Sequence, residues 1–313
     1  MNNQIELSVV IPIYNEEEIL ALLFERLEKA LSGIDYELVF VNDGSKDRSG
    51  EIIEAYHQKN SRVRLIELSR NFGQYLAVSA GLSKTRGKAV AVMDADLQDP
   101  PELIPQMLEK WKDGYQVVVG ARLTRPEQGL KKWGLKLFNR IFIWLCDYPI
   151  PVRGGFALMD RKVVEEIGKL QEKHRYLPGL RSWVGFSQIE IWYDREERIG
   201  GTTKWNFFKL LTYALDAIFS FSHKPLRLTW MIGLVISIIC FIYGAVLVVL
   251  RIIGIGVVKG FTTLAVVLFF LGGVQLIAIG ILGEYLARVY DEVKQRPLYI
   301  IAREYPSIKS EQS

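Results

Sequence analysis

Ala89-Val90-Ala91-Val92-Met93 runs directly into Asp94-Ala95-Asp96-Leu97-Gln98-Asp99-Pro100-Pro101-Glu102, and this junction decides the fold. Five apolar residues bounded by a polar, proline-containing turn read as a short buried strand, the kind found in a parallel sheet covered on both faces. Ligands of such sheets gather at the C-terminal ends of the strands, where Asp94 and Asp96 form an Asp-X-Asp pair. Asp94, Asp96 and the amide oxygen of Gln98 supply three hard oxygen donors, the type that Mg2+ or Mn2+ prefers, with positions left for phosphate oxygens and water. The chain holds only three His and two Cys, and neither type is spaced to compete for a softer metal.

Working outward, strand-like runs at Leu7 to Ile13, Glu37 to Val41, Val63 to Leu68, Ala89 to Met93 and Val117 to Gly120 alternate with amphipathic stretches. The helices are expected at Glu17 to Leu31, Arg48 to Gln58, Tyr75 to Thr85 and Glu102 to Lys112. Such alternation predicts an α/β fold, Rossmann-like, with a mostly parallel sheet and helices on both faces. The strand ends then bring together Pro12-Ile13-Tyr14-Asn15-Glu16, Asn42-Asp43-Gly44-Ser45, Ser69-Arg70-Asn71-Phe72-Gly73 and Asp94-Ala95-Asp96. Asn15, Asp43 and Asp47 can each cap a helix, and Asp47 is read that way. Asp43 and the Asp94/Asp96 pair are read as functional, because acidic groups crowded on one edge repel unless a cation or donor joins them. Tyr14 beside Asp43 can stack on a nucleobase. Arg122, just past the fifth strand, and Arg198 with Lys204 around Gly200-Gly201 are the cations available to phosphates.

The 50% hydrophobic content is concentrated late in the chain. No charge interrupts Leu228 to Leu250, and none lies between Lys259 and Glu284. Each run exceeds the roughly 20 residues that cross about 30 Å of hydrocarbon at about 1.5 Å per residue. Joined by the short turn Arg251 to Lys259, they predict a transmembrane hairpin. Lys204, Lys209, Lys224 and Arg227 precede it and Arg288, Lys294, Arg296 and Arg303 follow it, which places both ends in the cytoplasm. The start of the chain reads as a strand and not as a secretory leader. Lys131 to Asp147 and Trp205 to Phe221 are basic, aromatic-rich amphipathic segments suited to a membrane surface. Cys146 and Cys240 have neither disulfide nor metal spacing. The net charge of +4 suits anionic lipid better than nucleic acid. The expected divisions are residues 1–203 as catalytic domain and 204–227 as juxtamembrane helix. The hairpin spans 228–286, with runs 228–250 and 261–286, and a cytoplasmic tail covers 287–313, polar after Tyr305.

These motifs carry a resemblance. The stretches just quoted, with Phe156-Ala157-Leu158-Met159-Asp160-Arg161, Ser182-Trp183-Val184-Gly185 and Gly283-Glu284-Tyr285, together resemble the family 2 glycosyltransferases that act on polyisoprenyl phosphates. Among these the bactoprenol glucosyl transferases are most similar, and they in turn resemble dolichyl-phosphate mannose synthases with an added hairpin. The resemblance covers nearly the whole chain. It implies a GT-A fold and inverting, metal-dependent transfer of one sugar, glucose from UDP-glucose, to a membrane polyprenyl phosphate, for use in cell-surface glycosylation. It also implies that Pro12, Tyr14, Asn15, Glu16, Val41 and Asp43 hold the nucleoside, and that Asp94, Ala95, Asp96 and Gln98 hold diphosphate and metal. Arg122, Arg198 and Lys204 would contact the donor diphosphate or the lipid phosphate. The expected partners are a nucleotide sugar, the polyprenyl phosphate and the membrane, with homo-oligomeric assembly open.

The chain also departs from this family pattern. Gly154-Gly155-Phe156-Ala157-Leu158 stands where relatives commonly read Gly-Asp-Phe-Arg-Leu, and Gln74 where Lys is frequent. No catalytic base is assigned for that reason. The competing readings are the same reaction with GDP-mannose or a UDP-amino sugar, and a degenerate binder of nucleotide sugar without turnover. Two spans are too few for a polymer channel or a transporter.

Overall fold

A computed structural model of the chain describes residues 5–123, 140, 155–173, 175–194, 222–253 and 260–305. They fall into two compact units: one holds residues up to 123, then 155–194 and 296–305, and the other holds residue 140, 222–253 and 260–295.

In the first unit the chain runs β1 (Leu7–Ile13), α1 (Leu20–Ala30), β2 (Tyr36–Asn42), α2 (Ser49–Lys59), β3 (Val63–Leu68), α3 (Gln74–Leu82) and β4 (Ala89–Val92). After a 3-10 turn at Pro101–Leu103 follow α4 (Ile104–Lys112), β5 (Val117–Leu123), β6 (Ala157–Asp160), α5 (Arg161–Lys169), α6 (Leu177–Trp183), β7 (Gln188–Asp194) and β8 (Ile301–Tyr305). The sheet order is β7-β5-β6-β4-β1-β2-β3-β8. Parallel pairs join β1 to β2 and β4, β2 to β3, and β5 to β7. Strand β6 runs antiparallel between β4 and β5, and β8 runs antiparallel along β3.

The period of two along β1 explains why the strand is apolar throughout. Leu7, Val9, Ile11 and Ile13 belong to the core formed with Leu23, Phe24 and Leu27 of α1. Val10 points the other way, onto α3, where Gly81 lies so close that an added Cβ would stand 2.4 Å from a Val10 methyl and 2.9 Å from a Val41 methyl. Both faces are therefore covered, and each Leu or Ile so buried contributes about 1.5–3 kcal/mol. On α1 the buried positions Leu20, Leu23, Phe24 and Leu27 follow helical spacing, and Phe24 stacks on Tyr56 of α2 at 3.7 Å.

The five expected strands and four expected helices are present, with shifted ends. Helix α1 begins at Leu20 and not at Glu17, because residues 15–17 give their N–H groups to Ser45, Ser49 and Asp47 of the β2–α2 turn. Strands β6, β7 and β8 were not expected from the pattern. Strand β8 falls within the stretch expected as a tail.

A polar network ties β8 down. Glu37, 1% exposed, accepts from the Ser8 hydroxyl at 2.7 Å, Arg64 Nη1 at 3.2 Å, and Arg86 N, Nε and Nη2 at 2.7, 3.0 and 2.9 Å. Arg64 also meets Glu304 of β8 at 3.2 Å, and Lys84 meets the same carboxylate at 2.6 Å. Burial pushes the Glu37 carboxyl up, but the Ser8 and Arg86 donors and the Arg64 and Arg86 charges outweigh it and hold the group below 4.5.

In the second unit α7 (Lys224–Ile252) and α8 (Phe261–Val293) contain spans of 24 and 28 residues long and apolar enough to cross a membrane. Their apolar side chains point outward, Phe241 being 81% exposed. The Tyr285 hydroxyl of α8 donates to the Ser222 carbonyl just before α7, at 2.7 Å. The expected interfacial segments 131–147, apart from Arg140, and 205–221 lie outside the described residues, as do Cys146, Arg198, Lys204, residues 254–259 and the chain after Tyr305.

Glu37→Gln leaves two guanidinium groups without their shared charge and is expected to lower stability by about 3 kcal/mol, read as a fall in melting temperature in detergent. Because the folded value is depressed, the wild-type contribution is complete above about 4.5 and disappears as pH falls through the folded value, whereas the Gln variant loses that component of acid sensitivity. Equal melting temperatures for the two proteins across this window would remove the network from the account.

Candidate active site

Strand order reverses at β1: β2 and β3 lie on one side of it and β4 on the other. That switch point is where open α/β sheets bind ligands, and the loops leaving β1, β2, β3 and β4 meet there. The first two are stitched together. Asn15 N–H donates to the Ser45 hydroxyl at 3.1 Å, Lys46 N–H to Asn15 Oδ1 at 2.8 Å, and Ser45 N–H to Asn42 Oδ1 at 2.9 Å. Asn15 takes φ 55°, a left-handed conformation that Asn tolerates well.

Asp43, at the end of β2, turns its carboxylate to the loop after β3. Its Oδ1 accepts the Phe72 N–H at 2.7 Å and its Oδ2 the Gly73 N–H at 2.9 Å. Burial raises its pKa, against the pull of these two N–H groups and the Arg70 charge. Gly44 lies against the same loop; a Cβ there would sit 2.7 Å from the Arg70 carbonyl carbon and the Asn71 nitrogen. The loop so held delivers Gln74, the first residue of α3, whose Nε2 donates to Asp94 Oδ1 at 2.6 Å.

The β4 end is an acidic centre. Burial, then the Asp99 and Asp96 charges, push the Asp94 carboxyl up to about 7, against the opposing influence of Arg122 and Gln74. Asp96 accepts the Gln98 N–H at 3.2 Å across Leu97. Leu97 has φ 55° and a fully buried side chain. A branched residue in this region is strained by about 1–2 kcal/mol, and its core packing is what holds the turn that orients Asp96 and Gln98.

Arg122 faces this centre from β5. Its Nε and Nη2 donate to Asp99 Oδ1 at 3.2 and 2.9 Å, and Nε also reaches the Tyr193 hydroxyl of β7 at 3.1 Å. The Tyr193 hydroxyl donates to the same Asp99 oxygen. Burial lowers the guanidinium's pKa, but Asp99 and Tyr193 outweigh it and the group stays charged. Asp99 is fully buried. Neither Asp99 nor Tyr193 was singled out by the sequence reading. A carboxylate one residue beyond Gln98 was the available signal, but the Tyr lies on a strand that the pattern did not reveal.

Tyr14, 39% exposed, stands at the edge with Asn15 and with the half-buried Pro12 and Glu16. Val41 and Ala95 are buried; Val41 packs under α3, so its main chain is all it can offer a ligand. Asp47 accepts from Ser49 N–H and Glu17 N–H at 3.1 Å each; it was expected to cap α2, but it stands one residue before the N-cap, Arg48, and braces the first turn from there. Among the described residues no three His, Cys, Asp or Glu side chains form a metal cluster; the oxygens expected to meet a cation are those of Asp94, Asp96 and the Gln98 amide. Three carboxyl groups, Asp94, Asp96 and Asp99, here meet the single guanidinium of Arg122. Together with the raised Asp94, this charge and oxygen chemistry fit one divalent cation.

Gly155 precedes β6 by two residues as Asp94 follows β4 by two, and the ladder between these strands ends at the Val92–Ala157 pair. Gly155 is exposed, and an added Cβ would meet nothing within 4 Å.

Comparison with known proteins agrees with this architecture. The family model Glycosyl transferase family 2 matches residues 8–168, and the model GtrB C-terminal hairpin matches residues 224–289. The chain is similar to an uncharacterized glycosyltransferase of Synechocystis sp., 47% identical over 304 residues and 95% of each chain. It is 41% identical over 305 residues to a prophage bactoprenol glucosyl transferase homolog of Escherichia coli (strain K12), covering 95% of this chain and 99% of that protein. It is also 41% identical over 307 residues to a bactoprenol glucosyl transferase of Shigella phage SfII, covering 96% and 98%.

Two substitutions test the geometry. Asp43→Asn turns an amide N–H toward a backbone N–H and is expected to cost about 1–3 kcal/mol, with the loss of protection at residues 72 and 73 in hydrogen exchange; full protection there would contradict the clamp. Gly155→Asp meets open space, so stability is expected to stay within about 0.5 kcal/mol while the kinetics of transfer change. Wild-type kinetics would show that position 155 does not face the site.

Proposed function

The chain belongs to glycosyl transferase family 2, and from that premise we propose that it transfers one sugar, glucose from UDP-glucose, to the phosphate of a membrane polyprenol, with inversion at the anomeric carbon. Three carboxylates with Arg122 at the sheet's switch point, in a chain that also carries two helices able to span a bilayer, are the observation that carries this reading. The relatives named as bactoprenol glucosyl transferases, similar over almost their full length, favour both the acceptor and the sugar.

The site's own residues account for the chemistry. Tyr14, with Pro12, Asn15, Glu16 and the main chain around Val41 and Asp43, takes the nucleoside. Asp94, Asp96 and Gln98 would hold Mg2+ or Mn2+, which when bound neutralises charge building on the departing diphosphate. Arg122 adds positive charge on the same group, and Arg198 and Lys204 are assigned to the donor diphosphate or the lipid phosphate. A phosphate oxygen of the acceptor forms the new bond to the anomeric carbon as the bond to the donor's phosphate oxygen breaks on the opposite face, and the electron pair leaves with UDP. The acceptor is already an anion, so no strong general base is required.

Both ends of the hairpin are placed in the cytoplasm. The positive flanks support this. So does β8: it follows α8 in sequence yet pairs within the sheet of β1 to β7, which precede α7, an arrangement that favours both ends of the hairpin lying on one side.

The test is to incubate purified protein in detergent with undecaprenyl phosphate, Mg2+ or Mn2+ and labelled UDP- and GDP-sugars, and to count label extracted into organic solvent. Label from UDP-glucose that EDTA abolishes is the expected result, and Asp96→Asn is expected to reduce it on the order of 100-fold or more. Label from GDP-mannose or a UDP-amino sugar in its place would replace the donor. Wild-type turnover by Asp96→Asn would overturn the assignment of the acidic centre.

A further inference from the structure

Arg122 is held along one edge only. Its Nε and Nη2 meet Asp99 and Tyr193, while Nη1 makes no hydrogen bond among the described residues and the side chain keeps 30% exposure. Asp99 has no other visible task. Its Oδ1 collects three donors, from Arg122 Nε and Nη2 and the Tyr193 hydroxyl, and its Oδ2 is buried with no hydrogen-bond partner among the described residues. Leaving a buried carboxylate oxygen unpaired is costly, so the arrangement is not the one that satisfies Asp99 best. It is the one that fixes a guanidinium.

We propose that Asp99 and Tyr193 are positioning residues: they grip the Nε–Nη2 edge of Arg122 so that its Nη1 edge is presented, already oriented, to a phosphate at the end of β4. The inference rests on the diphosphate-binding role given to Arg122 above and adds the two groups on which that role depends.

Three features carry it. The three groups come from separate elements, Asp99 from the loop before α4, Arg122 from β5 and Tyr193 from β7, and β5 pairs in parallel with β7 so that Arg122 lies beside Tyr193 in register. The Tyr193 ring packs edge-on against Phe156 at 6.0 Å, which fixes the hydroxyl from behind. A guanidinium also has a planar fork of five N–H donors, so gripping one edge leaves the other edge with a defined direction, as no ammonium group could. A flexible Arg would lose rotamer freedom on meeting a phosphate; this one has lost it on folding.

The test is a double-mutant cycle on the full-length protein, with UDP and Mg2+ as the probe for binding by calorimetry and the labelled transfer assay for KM and kcat. Arg122→Gln and Asp99→Asn are each expected to weaken UDP binding about tenfold or more, the scale of a lost charge-assisted hydrogen bond. Asp99→Asn in the Arg122→Gln background is expected to add less than about twofold, because its effect passes through Arg122. Tyr193→Phe keeps the Asp99 pair and is expected to weaken UDP binding by a smaller factor with melting temperature held. A merely structural Asp99 would lower melting temperature and active fraction but leave the UDP affinity of the folded protein and KM unchanged, and that result overturns the proposal. So do independent, multiplying effects of the two substitutions. Loss on Arg122→Gln without loss on Asp99→Asn sinks the positioning role alone. No loss on Arg122→Gln sinks the phosphate role of Arg122 together with the inference built on it.

Discussion

Repulsion among carboxylates at the end of β4 is the constraint around which the rest of the first unit is arranged. Asp94, Asp96 and Asp99 stand within six residues of one another, and an isolated pair of such charges a few ångströms apart interacts by several kcal/mol at the effective dielectric of a protein edge. The fold does not dilute this charge. It supplies Gln74 to one oxygen of Asp94, a backbone N–H to Asp96 and a guanidinium to Asp99, and still leaves Asp94 far above the usual range for an aspartate. This shortage of positive charge is what the divalent cation of the proposed reaction would relieve.

Holding such a centre requires a frame that does not relax. The mixed sheet provides it through order as much as through burial. Placing β1 between β2 and β4 opens the crevice, and inserting β6 between β4 and β5 sets Arg122 two strands away from Asp94, on a strand whose outer neighbour, β7, brings Tyr193. The Asp43 clamp does the same for the opposite wall, because the loop it holds by two backbone N–H groups ends at Gln74. Asp43 thus has a structural task for its carboxylate, which leaves its main chain for the nucleoside role proposed above.

Much of this was readable from residue order because the physics involved is local. Buried parallel strands are continuous apolar runs, helices carry a stripe, and Asp94 to Gln98 sit where a strand ends. What escaped is long-range. Strand β6 is only Ala157 to Asp160, too short for an alternating pattern to declare itself. Strand β7 is an edge with five exposed or half-exposed residues before Tyr193, so its apolar signal is weak. Strand β8 gains its partner from a stretch more than two hundred residues earlier. Asp99 and Tyr193 were invisible as a pair for the same reason, since 94 residues separate them and only the β5–β7 pairing brings the tyrosine to β5. Gln74, noted as a departure, acquired a role only once α3 was seen to begin there.

Strand β8 also has a consequence for the order in which the molecule can be made. The outer edge of β3 offers unpaired N–H and C=O groups until Ile301 to Tyr305 arrive, and an open edge is a template for pairing with other chains. Chains emerge from the ribosome N-terminus first, so β1 to β7 are synthesised well before the strand that closes their sheet, and both membrane helices lie in between. The catalytic fold is therefore completed last, after the hairpin has been translated. A chain that ends before residue 301 keeps a bare edge and lacks the Glu304 partner of Arg64 and Lys84. Closure of the sheet thus waits on translation of the whole hairpin, and a truncated copy is marked by its own unfinished edge.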